Sequence, residues 1–195
     1  MTVIHTADAN DSLIDRFVAT FEKADEMIAY DTDPIAQELA VGEPDEYGFR
    51  RWRPKKVKTD PSALDEIYSK LPARFPALFE RLVLSYRWAE VYLPDYTLLA
   101  NPPGADLSGL LAKISKDPAI WDLLSRSGYI QFGKGPDMDY DPVCFDLTSR
   151  KKGGESRIVK PDHEEILCND RLKIVAELAP SFERLVSETI GQVAN

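Results

Sequence analysis

Histidine and cysteine are scarce in this chain, with two of each in 195 residues. His5 and His163 are too few for a histidine-rich metal site. Cys144 and Cys168 stand far apart and outside any CxxC spacing, so neither a thiolate zinc site nor a redox pair is expected. In a reducing compartment both read as small buried apolar residues. No run approaches the roughly 18 consecutive apolar residues of a membrane helix. The opening, MTVIHTADAND, has neither the basic start nor the apolar stretch of a secretion signal. A cytoplasmic protein without a membrane partner is expected. Basic charge is also short: 24 Lys/Arg against 33 Asp/Glu leave a net charge of −9. That is the wrong sign for gripping a nucleic-acid backbone.

What is present is an ordinary 44% of hydrophobic residues, enough for one core. The charge is unevenly placed. Residues 1–47 hold twelve Asp/Glu and two Lys/Arg, while the remainder is nearly neutral. This divides the chain into an acidic helical extension (1–47) and a main domain (48–195). An acidic run is ordinarily a solvated face, and it can also steer a basic partner.

Along the chain, Ser12 with Asp15 resembles a capping box, and Leu13, Phe17, Phe21 and Ile28 recur at helical spacing, predicting a helix over about 12–29. Pro34 opens a short helix through Leu39. YGFRRWR (47–53) reads as an edge strand. Asp60-Pro61 starts a helix carrying Leu64, Ile67, Tyr68 and Leu71; Pro72 stops it, and Phe75, Phe79, Leu82 and Tyr86 mark a second. AEVYL (89–93) and YTLLA (96–100) are short strands. Asp106 and Asp117-Pro118 begin two further helices. GYIQFG, PVCFDL and RIVKPD then alternate as strands between Gly-rich turns, and RLKIV adds another. A closing helix bears Phe182, Leu185, Val186 and Ile190. Helices, a meandering antiparallel sheet and a last helix spell an α+β fold.

Three stretches of this order resemble the SUKH superfamily. WRPKKVKTDPSALDEIYSKLPARFPALFERLVLSY is similar to its opening helices, GYIQFGKGPDMDYDPVCFDL to its central hairpin, and IVKPDHEEI with VAELAPSFERLV to its ending. The likeness covers roughly residues 50–191. Residues 1–47 have no counterpart, and the two helices between Asn101 and Gly128 exceed the pattern. The resemblance implies a non-catalytic domain without cofactor. Many members are immunity proteins that neutralise toxins, often nucleases, by direct binding, and others are regulators or adaptors.

Several motif look-alikes have plainer readings. Gly128 to Gly135 nearly spells a phosphate-binding loop, but Gly135 replaces the hydroxyl that holds magnesium, and the intervening residues alternate like a strand. Asp137, Asp139 and Asp141 begin like a calcium loop, yet Pro142 stands where glycine is needed and Thr148 where a glutamate is needed. His163 and Glu165 imitate the H-x-E of zinc deaminases without the accompanying thiolates. A hairpin tip and a structural histidine at a strand end are the expected roles. Trp88, Glu90 and Tyr92, on a segment that alternates faces, join Asp137, Asp139 and Asp141 as candidate partner-binding residues. The expected molecule is a monomer or weak dimer that binds a protein such as a basic toxin domain. The alternatives are an adaptor or regulator on the same fold, and a metal-dependent enzyme built on the three aspartates and His163.

Overall fold

The structure, a computed structural model, describes residues 4–30, 32–150 and 154–194. The first part is α1 (Ile4–Ala24), β1 (Ile28–Tyr30), α2 (Pro34–Leu39), β2 (Ala40–Val41), β3 (Phe49–Trp52) and β4 (Lys55–Lys56). Helices α3 (Ala63–Tyr68) and α4 (Ala77–Ser85) lead into β5 (Tyr86–Arg87), β6 (Val91–Tyr92) and β7 (Thr97–Leu98). Then come α5 (Ser108–Ile114), α6 (Pro118–Arg126), β8 (Tyr129–Lys134) and β9 (Pro142–Asp146). A single 3-10 turn (Leu147–Ser149), β10 (Arg157–Pro161), α7 (His163–Asn169), β11 (Ile174–Ala179) and α8 (Phe182–Ala194) complete the α+β chain. The Gly-rich turn expected before β10 falls partly on residues 151–153, outside those described. Among the described residues no helix is long and apolar enough to cross a membrane.

The main sheet has six strands in the order β11-β10-β9-β8-β7-β6, antiparallel throughout. Strand alternation divides its side chains between two cores. Ile130, Phe132, Phe145 and Ile158 face α1, α4 and α8, while Tyr129, Cys144 and Val159 face α6 and α7 through Leu123, Leu124 and Ile166. Phe182 is the hub of the larger core. Its ring lies 5.3 Å from that of Phe79, 5.6 Å from Phe132, 5.7 Å from Phe145 and 6.4 Å from Phe17. Gly133 is required by a close approach: a Cβ there would sit 2.8 Å from the Thr97 carbonyl oxygen on the neighbouring strand.

Four expectations need correction. The first helix spans 4–24 instead of 12–29, so Ser12 and Asp15 lie in mid-helix and form no capping box. Asp15 instead accepts hydrogen bonds from Lys56 Nζ at 2.8 Å and from the Tyr86 hydroxyl at 2.6 Å, tying α1 to β4 and β5. The chain leaves the helix where Asp25 Oδ1 accepts the Met27 amide at 3.0 Å and Met27 takes a φ of +52°. Ile28 therefore starts an exposed strand. YGFRRWR is not an edge: β3 is the central strand of a three-stranded sheet ordered β1-β3-β2. Asp162 does not end a strand in isolation but caps α7, accepting the Glu165 amide at 3.1 Å. Cys144 is buried as expected, whereas Cys168 is exposed on α7.

Helix α1 belongs to the main core. Ile14, Phe17, Val18 and Phe21 are all buried in it. The acidic N-terminal segment is set apart by charge, and its apolar stripe is not separate in packing.

Candidate functional site

Five of the six candidate residues lie at one end of the six-stranded sheet. Pairing runs Pro142 to Lys134, Lys134 to Thr97 and Thr97 to Tyr92 across β9, β8, β7 and β6, so these four form one row. Lys134 Nζ donates to Glu90 Oε1 at 2.7 Å, joining the segment around β6 to the base of the β8–β9 turn. That pairing also gives the lysine of the phosphate-loop look-alike a structural job on a strand. Tyr92 stands half exposed beside it. Its amide donates to Asp25 Oδ2 at 3.1 Å, which pins the end of α1 to this edge.

Trp88 does not join them and is corrected as a partner-facing residue. It is 0% exposed, and its indole Nε1 donates to the Leu99 carbonyl at 2.9 Å inside the core. Trp88 and Ala89 are both buried, so the faces do not alternate there, and Trp88 pairs with Asn101 in an isolated antiparallel bridge.

The turn from Gly135 to Asp141 is tightly held. Its backbone closes through the Gly135 amide on the Asp141 carbonyl at 2.8 Å and the Asp139 amide on the Pro136 carbonyl at 3.0 Å. Asp139 Oδ1 accepts the Asp141 amide at 2.9 Å, and Lys160 Nζ donates to Asp139 Oδ2 at 2.6 Å. Asp141 Oδ1 accepts the His163 amide at 2.8 Å and lies 2.7 Å from His163 Nδ1. Burial pushes the Asp139 carboxyl up, but the Lys160 ammonium and the Asp141 amide outweigh it and hold the group below the usual aspartate value. Asp139 folds so closely over Gly135 that a Cβ there would overlap its carboxyl carbon.

Asp139 and Asp141 are thus half-buried braces, not the solvated tip the sequence implies, and of the three aspartates only Asp137 is exposed. What the turn presents instead is Met138, 77% exposed, and Tyr140, 54% exposed. Sequence reading passed over both, although an apolar pair inside a D-x-D-x-D turn is itself a signal, since a solvated turn has no use for it.

The carboxylates do not converge on a shared point. Among the described residues no group of three His, Cys, Asp or Glu side chains is placed to hold a metal ion. Glu165 turns away from His163 and accepts hydrogen bonds from Asn169 at 2.9 Å and Arg171 at 2.8 Å. His163 has the structural hydrogen-bonding role its sequence context implies. On the far side of Tyr92 a cleft of about 260 Å³ runs between this edge and the N-terminal sheet, lined by Tyr92, Glu90, Ile28, Asp33 and Lys113 among others.

No protein-family model matches the chain, and a search of curated proteins finds no match.

Proposed function

We propose that this chain is a non-catalytic protein-binding module that acts as a cytoplasmic immunity protein of the SUKH type, neutralising a basic toxin domain by direct contact at the sheet end. The observation that carries this reading is the exposure of Tyr92, Met138 and Tyr140 around a backbone that the Lys160–Asp139 and His163–Asp141 contacts hold in place. Aromatic and methionine side chains dominate the energetic centres of protein interfaces. Holding them in advance spares the ordering cost that a loose loop would incur on binding. Asp137 stands exposed beside Met138, and Asp25 holds the Tyr92 amide, carboxylates that suit a basic partner.

The test pairs the purified chain with the toxin domain encoded beside its gene. Calorimetry is expected to show a one-to-one complex that blocks the toxin's activity. Tyr92→Ala and Tyr140→Ala are each expected to weaken it by about tenfold to a hundredfold, as anchor truncations do, with unchanged melting temperatures. Full affinity in both variants would remove the sheet end from the interface. A neighbour with no toxic activity that still binds would move the protein to the regulator or adaptor class.

A further inference from the structure

We infer that the outer face of the three-stranded N-terminal sheet is a second docking site, built for a cationic protein segment that carries aromatic or aliphatic side chains. Register places Ile28, Arg51 and Val41 in one row across β1, β3 and β2, with Tyr30 opposite Phe49 in the next. Residues paired directly across antiparallel strands share a face. The inner face sends Trp52, 3% exposed, into the core. The outer face leaves Ile28 44%, Tyr30 61% and Val41 45% exposed, with the Tyr30 and Phe49 rings stacked at 4.4 Å. An antiparallel sheet with one wet face ordinarily carries polar residues there. This one carries apolar side chains at four of the five positions, so the sheet has two apolar faces and only one of them is covered.

Charge decides what would cover it. Residues 22–53 hold nine Asp/Glu against four Lys/Arg. Glu22, Asp25 and Glu26 border Val41, Arg51 and Arg53 around a depression of about 150 Å³, with Glu22 paired to Arg53 Nε at 3.1 Å. Glu43, Asp45 and Glu46 lie on the exposed turn between β2 and β3. A second copy would press one acidic rim against another, and an anionic surface would meet the same repulsion. Size points the same way. With strands about 4.8 Å apart and about 3.4 Å per residue, the face measures roughly 10 Å each way. That seats a short segment and falls well short of the roughly 800 Å² per partner of a stable interface. Arg51, flanked by Ile28 and Val41, offers planar donors to the segment's carbonyl groups. This inference stands apart from the toxin reading, because it rests on the N-terminal sheet and not on the sheet end.

A library of random 12-residue peptides displayed on phage is the probe. The intact chain is the bait, and the variant Tyr30→Ser/Val41→Ser is used for counter-selection. Lys/Arg-rich peptides with at least one aromatic or aliphatic residue are expected to be enriched. Synthesised singly, they should bind the variant about tenfold more weakly, the loss of an aromatic anchor, and should weaken further with added salt. Enrichment of acidic or uncharged peptides, no enrichment, or equal binding to the variant would overturn the inference. So would self-association of the wild type in sedimentation that the variant abolishes, since the occupant would then be a second copy. Both replaced residues are exposed, so the variant should keep its melting temperature. If it does not, Glu22→Gln/Glu26→Gln keeps the apolar face and is expected to lose the preference for cationic peptides. Tyr140→Ala should leave peptide binding unchanged, which keeps a failure here distinct from a failure at the sheet end.

Discussion

At the scale of single residues, the three aspartates of the β8–β9 turn have separate fates. Asp137 is exposed with a φ of +52°, a conformation that asparagine adopts as readily as aspartate, so Asp137→Asn should change stability by less than about 0.5 kcal/mol. Asp139→Asn removes the charge opposite Lys160 and should cost about 1 kcal/mol in urea unfolding, the scale of one half-buried charge-assisted contact. Equal stability in the two variants would mean that the brace does not form in solution. Asp146 is a more demanding case. Its side chain is fully buried, receives Arg157 Nε at 2.7 Å and accepts the Thr148 and Ser149 amides that open the 3-10 turn. Asp146→Ala is expected to cost about 3 kcal/mol, because it strands these donors. The residue types of the turn were legible in the sequence. Their roles were not, because Lys160 and His163 lie more than twenty residues downstream.

At the scale of elements, the two cap-and-proline signals had different outcomes: Asp60-Pro61 forms a turn ahead of α3, whose N-cap is Ser62 with no side-chain bond. Asp117-Pro118 opens α6 with the aspartate accepting the Ala119 and Ile120 amides. Helix α7 carries a comparable signal, Asp162 followed by Glu164 and Glu165 in the first turn, and reading His163 as the end of a strand obscured it. The closing helix was correctly phased, and Phe182→Ala should destabilise the protein by about 3–5 kcal/mol in chemical unfolding, since four aromatic rings would border the cavity. A near-neutral result would place α8 outside the core. The end of α1 was misjudged because Ile28 continues the helical spacing. The break comes from the Asp25–Met27 contact and the positive φ of Met27, neither of which a periodicity contains.

At the scale of the whole molecule, charge bears on acid stability and, under the proposed function, on association. Hydrogen bonds from Lys56 and Tyr86 hold Asp15 below the ordinary aspartate value of 3.8. Burial raises Asp146, but Thr148 and Arg157 outweigh it and leave that group lowered as well. Asp139 is lowered too. Groups depressed in the folded state contribute stability that is fully present above the unfolded value and is lost as pH falls through the folded values. Melting temperature should therefore hold nearly constant down to about pH 4–5 and drop below it. A drop beginning near neutrality would show that other groups control unfolding. Association with a basic partner should slow, and lose part of its salt dependence, in Glu22→Lys/Glu26→Lys, measured by stopped-flow at low ionic strength. Asp25 is left unchanged in that test, because its carboxylate holds the Met27 and Tyr92 amides.

The α+β class, most strand positions in the main sheet, the Phe-rich packing of α4 and α8 and the acidic bias of the first 47 residues were set by the sequence alone. Each rests on interactions that span a few residues or on composition. Tertiary structure alone decided that β3 is a central strand, that Trp88 is buried, and that two aspartates brace a turn. It also decided that Tyr92, Met138 and Tyr140 are exposed at the same end of the sheet. Those outcomes depend on which strand pairs with which, and pairing is chosen by the burial of a core assembled from residues as distant as Phe17 and Phe182.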